Sequence, residues 1–372
     1  MPIVAGKDCV QHLIAALQRR GYTCIGPTVR DAAVVYDEIR SEQELPIGIT
    51  DEQEGGTYRL KARGDEARFG FTAGPQSIKQ YLFPSSTLLM TARRTSEGFT
   101  TQTATDQAPP YAFIGVRACD LNAIAVQDRT FLNGPYVDPT YKARREKAFI
   151  AAVNCGQAGR TCFCVSMETG PMAKTGYDLA LTEILEGGRH EFLIETGSAR
   201  GEEIVKEIPN RSAEDNDKAA AQRMIDRAVS QMGRTMDTNG LKELLYRNME
   251  HPRWENVASR CLSCANCTMV CPTCFCSTVE EVSDLTGDHA ERWRRWDSCF
   301  TAAHSFIHGG SVRPTTLSRY RQWMTHKLAT WIDQFNTSGC VGCGRCITWC
   351  PVGIDITEEV RAIRETDVGK GH

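Results

Sequence analysis

The chain has 372 residues, enough for two domains with a buried core, and its composition is that of a soluble globular protein. Its 43 Lys and Arg against 46 Asp and Glu give a net charge of -3, so nothing favours binding to nucleic acid or to a membrane surface. No segment approaches the roughly 18 apolar residues of a membrane helix, and the N-terminus lacks signal-peptide features. We therefore expect a cytoplasmic protein, whose seventeen cysteines indicate metal binding or redox chemistry rather than disulfides.

The first two hundred residues alternate short apolar runs with helical patterns, which favours a mixed α/β domain. Residues 7–19 place apolar side chains at three- and four-residue steps and predict a helix. Cys9 and Cys24 fall on apolar faces in this region, so we expect both to be structural.

Four other cysteines of this domain lie at or after predicted strands. The apolar run 111–116 predicts a strand that leads through Cys119 into a helix, and the run 148–154 predicts a strand that ends at Cys155. Ligands commonly bind at the carboxyl ends of strands in α/β sheets. Four thiols would complete a third [4Fe-4S] cluster, although isolated buried cysteines also act as small apolar residues. The set is Cys119, Cys155, Cys162 and Cys164.

A domain boundary is predicted near residue 210. The charged stretch 210–222 has too few apolar residues to pack on both sides, so we expect a linker that enters an exposed helix. Residues 1–210 would then form the α/β domain, and residues 211–372 a mostly helical, ferredoxin-like domain. In the latter, an aromatic and aliphatic stripe over 318–335 predicts a core helix. The expected fold class is α+β.

Two segments, the first run (261–271) and the second run (340–350), share the spacing C-x2-C-x2-C-x3-C followed by proline. This is the spacing of bacterial ferredoxins, in which the fourth cysteine usually ligates the other cluster. Zinc also binds C-x2-C pairs, but a zinc site does not need the third and fourth cysteines at these positions. We predict two [4Fe-4S] clusters, the first bound by Cys261, Cys264, Cys267 and Cys350, and the second by Cys340, Cys343, Cys346 and Cys271.

Three further cysteines, Cys274, Cys276 and Cys299, belong to neither run. Three thiols make an incomplete metal site unless a histidine such as His304 or His308 completes it. Packing or hydrogen bonding beside the clusters is one interpretation of these cysteines. A catalytic metal with an open coordination position is the other.

Clusters ligated by four cysteines transfer single electrons and have no open coordination position, so no catalysis is expected from this chain alone. No G-x-G-x-x-G follows a predicted strand, and P-loop, nucleophile-elbow and zinc-protease motifs are also missing. Flavin and nicotinamide would therefore have to come from a partner protein. A structural zinc protein is the remaining hypothesis from another class.

Five sequence blocks in this order are similar to a known family: GVRACDLNAIAVQDRTFL, NCGQAGRTCFCVSMETGP, CLSCANCTMVCPTCFC, RRWDSCF and SGCVGCGRCITWCPVGID. From about residue 68 onward the chain resembles the beta subunits of cytoplasmic sulfhydrogenases, which are NAD(P)-linked nickel-iron hydrogenases. It is also similar to the A subunit of anaerobic sulfite reductase, which the resemblance implies to be an electron-transfer subunit. The resemblance implies an electron-transfer subunit with a flavin- and NAD(P)-binding subunit on one side and, on the other, the hydrogenase small and large subunits or a sulfite reductase catalytic subunit. The eight cysteines of the two runs match the family fully.

Overall fold

We describe residues 1–367 of a computed structural model. The strands are β1 (Ile3–Gly6), β2 (Thr23–Arg30), β3 (Ala33–Glu38), β4 (Ile49–Glu54), β5 (Thr57–Ala62), β6 (Ser86–Thr95), β7 (Gly98–Thr103), β8 (Tyr111–Val116), β9 (Phe149–Val153), β10 (Leu179–Ile184), β11 (Glu191–Thr196), β12 (Asn210–Ser212), β13 (Ser277–Ser283), β14 (His289–Trp296), β15 (Phe306–Ile307) and β16 (Gly310–Ser311). The α-helices are α1 (Cys9–Arg19), α2 (Lys79–Leu82), α3 (Ala118–Phe131), α4 (Pro139–Lys147), α5 (Ala199–Val205), α6 (Asp215–Ser230), α7 (Leu241–Arg247), α8 (Arg253–Arg260), α9 (Asn266–Met269), α10 (Thr316–Thr325), α11 (Trp331–Phe335), α12 (Arg345–Thr348) and α13 (Ile356–Glu365). A 3-10 turn covers Glu42–Glu44, and a π-helical turn covers His326–Thr330. None of the helices in residues 1–367 is long and apolar enough to cross a membrane.

The main sheet has the strand order β12-β1-β11-β10-β9-β8-β2-β3. Its central strands β10, β9, β8 and β2 are parallel, and the outer pairs are antiparallel. The two middle strands of this parallel part, β8 and β9, are almost wholly buried and apolar, as expected for strands covered on both faces. The predictions of a helix at 7–19 and of strands at 111–116 and 148–154 are confirmed by α1, β8 and β9. The mixed α/β character of this part is confirmed as well.

The charged stretch 210–222 is not a linker. Its first residues form β12, which pairs with β1 at the edge of the main sheet, and the rest begins α6. Helix α6 packs on the sheet through Ala220 and Ala221, which contact Ile184 and Leu193. Since alanine lets a helix approach closely with little apolar surface, the low hydrophobic content of this stretch concealed a packed helix.

A second sheet joins the two halves of the chain in the order β13-β14-β6-β7. Strand β14 pairs antiparallel with β6, with Ala290 opposite Ala92. The description of residues 211–372 as mostly helical is therefore not confirmed, because β13–β16 stand between the helices. No residue of these strands is fully buried, so their sequences lack a buried apolar face that would have identified them.

The predicted core helix at 318–335 is present as three consecutive pieces: α10, the π-helical turn and α11. Its side chains Tyr320, Trp323 and Met324 are buried in a core that also receives residues from α7, α8 and α13. This core lies directly beside the two cysteine runs, as the packing interpretation of the stripe required. The wide π-turn in its centre was not predicted.

Candidate metal centres

The two cysteine runs have the same backbone shape. In the first run, Ser263 and Ala265 adopt left-handed conformations with φ of 52° and 67°. Gly342 and Gly344 occupy the equivalent positions of the second run, with φ of 62° and 76°. Each run then enters a four-residue helix, α9 or α12, and these two helices pack against each other. The runs therefore form a related pair, as the shared spacing predicted.

This shape directs backbone N–H groups at cysteine sulfur atoms. The N–H of Ser263 donates to the Sγ of Cys261 at 3.4 Å, and the N–H of Gly342 donates to the Sγ of Cys340 at 3.5 Å. Hydrogen bonds of this kind stabilise a thiolate over a thiol. Burial nevertheless raises the pKa of both thiols, that of Cys340 to about 12, and the backbone N–H groups oppose this effect.

One cavity brings the first three cysteines of the first run together with the last cysteine of the second. Its cysteine lining is Cys261, Cys264, Cys267 and Cys350, with Cys346 at one side. Phe300, Tyr320 and Trp323 line the same cavity and shield it from water. Cys264, however, is exposed, and Leu262 beside it is 64% exposed, so one edge of this site reaches the surface.

The other four cysteines of the runs also lie near one another, and more deeply. Cys340 and Cys271 are each 8% exposed. The pKa of Cys346 lies well above its usual range, first because of burial and then because of the neighbouring Cys340, Cys343 and Cys271. The structure therefore places Cys271 close to the second run, while Cys350 lines the cavity of the first run.

Two buried ammonium groups face the segment 271–274. Lys327 lies 3.2 Å from the Sγ of Cys271, and Lys79 donates to the carbonyl oxygens of Cys271 and Cys274 at 3.0 and 3.1 Å. The pKa of Cys271 is lowered well below its usual range by the hydrogen bond from Cys274 and, against the effect of burial, by Lys327. Burying cations is costly unless negative charge compensates them. The pocket thus suits an anionic group, and a thiolate-ligated iron-sulfur cluster fits it.

The four N-terminal cysteines gather beside the second run. Cys119, in the first turn of α3, packs with Cys164, and the Sγ of Cys162 lies 3.9 Å from the carbonyl oxygen of Cys343. Burial raises the pKa of all four thiols, that of Cys162 to about 12. Buried thiols of this kind become thiolates when a metal supplies the compensating charge. The structure brings together the set predicted for a third cluster.

The loop that carries these cysteines docks closely on the second run. The N–H of Phe163 donates to the carbonyl oxygen of Gly342 at 2.9 Å. A β-carbon at Gly342 would lie 2.7 Å from the backbone of Cys164, and one at Gly344 would lie 2.5 Å from the carbonyl oxygen of Thr161. Both positions therefore require glycine for space as well as for their left-handed backbone.

A buried ion pair fixes the second run to α3. Arg345, between two cysteines of the run, donates to Asp120 at 2.7 and 3.0 Å, and their side chains are 0% and 1% exposed. The Nε of Arg345 also donates to the carbonyl oxygen of Gly74 at 2.8 Å. Sequence reasoning missed this pair, since no periodicity or motif links residues 225 positions apart.

The three unassigned cysteines line a small cavity next to Lys327. Cys274 is hydrogen bonded to the last thiol of the first run, and Cys276 to Cys299. The hydrogen bond with Cys299 and the nearby His304 lower the pKa of Cys276 to about 6. Hydrogen bonding beside the runs is therefore the interpretation that the contacts of these cysteines favour.

Cys9 and Cys24 lie far from the runs in the core of the main sheet. They are 1% and 2% exposed, and burial raises the pKa of Cys24 to about 12. The Sγ of Cys24 donates only weakly to a carbonyl oxygen, that of Ile14 at 3.8 Å. Both behave as small apolar residues.

Comparison with known proteins defines the class first. Residues 260–354 match the model of a 4Fe-4S dicluster domain, and the eight cysteines of the two runs all lie inside this segment. The chain is therefore an iron-sulfur protein with a domain for two four-iron clusters.

The family follows from a longer match. Over 266 residues, which are 71% of this chain and 77% of the relative, the sequence is 33% identical to sulfhydrogenase 2 subunit beta of Pyrococcus furiosus. The chain belongs to the family of sulfhydrogenase beta subunits, and the resemblance noted in its sequence is confirmed. No solved structure matches the chain.

Proposed function

We propose that this chain is the electron-transfer subunit of a hydrogenase complex. It would relay single electrons between the hydrogenase small and large subunits and a further subunit that binds flavin and NAD(P). The observation that carries the proposal is that Cys350 lines the cavity of the first run, while Cys271 lies close to the second run and faces the buried Lys327. Bound [4Fe-4S] clusters would supply one-electron transfer.

The residues suggest three ligand sets. For the first cluster we assign Cys261, Cys264, Cys267 and Cys350, and for the second Cys340, Cys343, Cys346 and Cys271. For a third we assign Cys119, Cys155, Cys162 and Cys164. The proposed division of the chain near residue 210 is then functional: it separates the third ligand set from the two ferredoxin-type runs.

The positions of these sets suggest an order for the relay. The third set lies against Cys343, and Cys346 lies between the second site and the cavity of the first. The second site is therefore in the middle, and the first ends at the surface beside the exposed Cys264. The apolar side chains of Leu262 and Val352, 64% and 40% exposed, surround that end and suit contact with a partner protein.

A hydrogenase is preferred over a sulfite reductase as the partner because the similar protein is a sulfhydrogenase subunit. The alternative of a catalytic metal at Cys274, Cys276 and Cys299 has weaker support, since the first of these bonds to Cys271 and the other two bond to each other. We therefore expect the complex, and not this chain alone, to be the enzyme.

The test begins with iron and sulfide analysis of the anaerobically purified chain. Three clusters require about 12 iron atoms per chain, and Cys155→Ser with Cys162→Ser should remove about 4 of them. Cys24→Ala, a buried cysteine outside the three sets, should leave the iron content unchanged. NADPH should reduce the chain only after a flavoprotein is added, because this chain has no motif for either cofactor. Unaided oxidation of NADPH would refute the relay, and about 8 iron atoms in the unmodified chain would refute the third cluster.

A further inference from the structure

Lys79 and Lys327 are buried lysines whose surroundings are unusual. They are 5% and 6% exposed, and among residues 1–367 neither forms a salt bridge with a carboxylate. Their polar contacts lie on the segment 271–274 and on the carbonyl oxygen of Gly339. Two lysine side chains therefore lie beside Cys271, the cysteine of the first run that we assign to the second cluster.

The two lysines contact different parts of this segment. The Nζ of Lys327 lies 3.2 Å from the Sγ of Cys271 and 3.6 Å from the Sγ of Cys274. The Nζ of Lys79 contacts backbone carbonyl oxygens instead and lies 3.8 Å from the centre of the Trp296 ring. Lys327 therefore contacts the sulfur atoms, whereas Lys79 contacts the backbone of the same segment.

The π-helical turn holds Lys327 between the two runs. The carbonyl oxygen of Lys327 accepts the N–H of Gly339 at 2.8 Å, and Gly339 directly precedes the second run. Its ammonium group also donates to the hydroxyl of Thr273 and to the carbonyl oxygen of Gly339, both at 3.2 Å. Widened turns of this kind are frequent at functional sites. Both ends of Lys327 are fixed, so its charge cannot move away from Cys271.

The corresponding cysteine of the second run has a different neighbour. The Sγ of Cys350 accepts the N–H of Ile354 at 3.3 Å, which is a neutral backbone donor. A hydrogen bond from a charged donor is roughly twice as strong as one from a neutral donor. The two exchanged cysteines therefore differ in the charge beside their sulfur atoms.

We propose that Lys327 is a positioning residue that acts through Cys271 to raise the reduction potential of the cluster bound by that cysteine above the potential of its sister cluster. Reduction adds one electron and no bond is made or broken, so a fixed cation nearby stabilises the reduced form. Hydrogen bonds to the sulfur atoms and local charge are established determinants of cluster potential. The inference rests on the proposed function in two respects, the presence of two clusters and the assignment of Cys271 to the second one. The higher potential would make the cluster at the second site the first of the two to be reduced.

The experiment is a redox titration of the full chain followed by paramagnetic resonance. Cys271→Ser identifies the signal of the cluster that this cysteine binds. Lys327→Gln keeps a donor near the sulfur but removes the charge, so the same signal should move to lower potential while the other stays in place. We expect the equilibrium between the two clusters to change at least tenfold, which for one electron is about 59 mV. Lys327→Arg keeps the charge and should retain most of the original potential.

Lys79→Met serves as the matched control, because it also removes a buried ammonium group beside the same segment. Its shift should be the smaller one, since Lys79 contacts carbonyl oxygens and not sulfur. An unchanged potential in Lys327→Gln, or equal shifts of both signals, would overturn the proposal. A second outcome would also overturn the proposal. If Lys327→Gln and Lys327→Met both lose the cluster, and Lys327→Arg keeps it with the same difference in potential between the two clusters, then Lys327 has a structural role. These potentials are measured without partner proteins, so they are independent of whether the relay to a hydrogenase is correct.

Discussion

The two cysteine runs have the same spacing and the same left-handed positions, but their surroundings are opposite. Leu262, after the first cysteine of the first run, is 64% exposed, whereas Val341 at the same place in the second run is 3% exposed. Asn266 is exposed, whereas its counterpart Arg345 is fully buried against an aspartate. The cysteines and their spacing thus specify a cluster-binding loop, and the residues between them specify where that loop lies.

The left-handed positions show the same division. The first run has Ser263 and Ala265 there, whose side chains are only partly buried although the left-handed conformation strains them. The second run has Gly342 and Gly344, against which the loop with the N-terminal cysteines packs. Glycine in the second run therefore suits the left-handed turn and is required in addition by the close docking of a distant loop.

The largest expected effect comes from the exchanged cysteines. Cys271→Ser should perturb the cluster of Cys340, Cys343 and Cys346, because its thiol lies with the second run. Serine coordinates iron weakly, so the result would be a shifted potential, an altered spectrum or loss of the signal. Paramagnetic resonance measures it, with Cys264→Ser and Cys343→Ser identifying the two signals. The reciprocal variant Cys350→Ser should affect the signal identified by Cys264→Ser, and a perturbation confined to each cysteine's own run would show that ligation is local.

A smaller effect, on stability, should distinguish Arg345 from Asn266, which stand at the same place directly before the third cysteine of each run. Arg345→Met leaves Asp120 buried without its partner, which should cost about 3 to 5 kcal/mol of unfolding free energy. Asn266→Ala, at the same place in the first run, should stay within about 0.5 kcal/mol because Asn266 is exposed. Anaerobic urea unfolding gives both values as midpoint shifts. Adding Asp120→Leu to Arg345→Met should restore part of the loss, and equal costs for the two single variants would contradict the buried-pair argument.

The smallest of the three effects concerns the left-handed glycine. Gly344→Ala should cost roughly 2 to 4 kcal/mol, from the backbone conformation and from the clash with the carbonyl oxygen of Thr161. Ala265→Gly, the reverse change at the equivalent position, should alter stability by less than about 1 kcal/mol. The same unfolding measurement compares them. If Gly344→Ala were tolerated as well as Ala265→Gly, the close docking of the cysteine loop on the second run would be wrong.

Much of the local structure was predictable because it follows from periodicity. Helix α1, strands β8 and β9 and the core stripe at 318–335 each bury a regular apolar pattern, and each was found. Two expectations were not confirmed, the mostly helical C-terminal part and the linker at 210–222, and in each case a clear apolar pattern is missing. Strands β13 and β14 are too exposed to show an apolar alternation, and α6 packs through alanines that resemble a linker in composition.

The sequence by itself determined the class of this protein, because an iron-sulfur loop is a local arrangement and its cysteine spacing is set within eleven residues. Tertiary structure alone decided what surrounds each loop. Lys327 reaches Cys271 across 56 positions, and Arg345 reaches Asp120 across 225. Such pairs have no periodicity, and single charged residues of this kind are common on any protein surface. Only the folded chain shows which of them are buried, and burial is what makes their charges strong enough to matter.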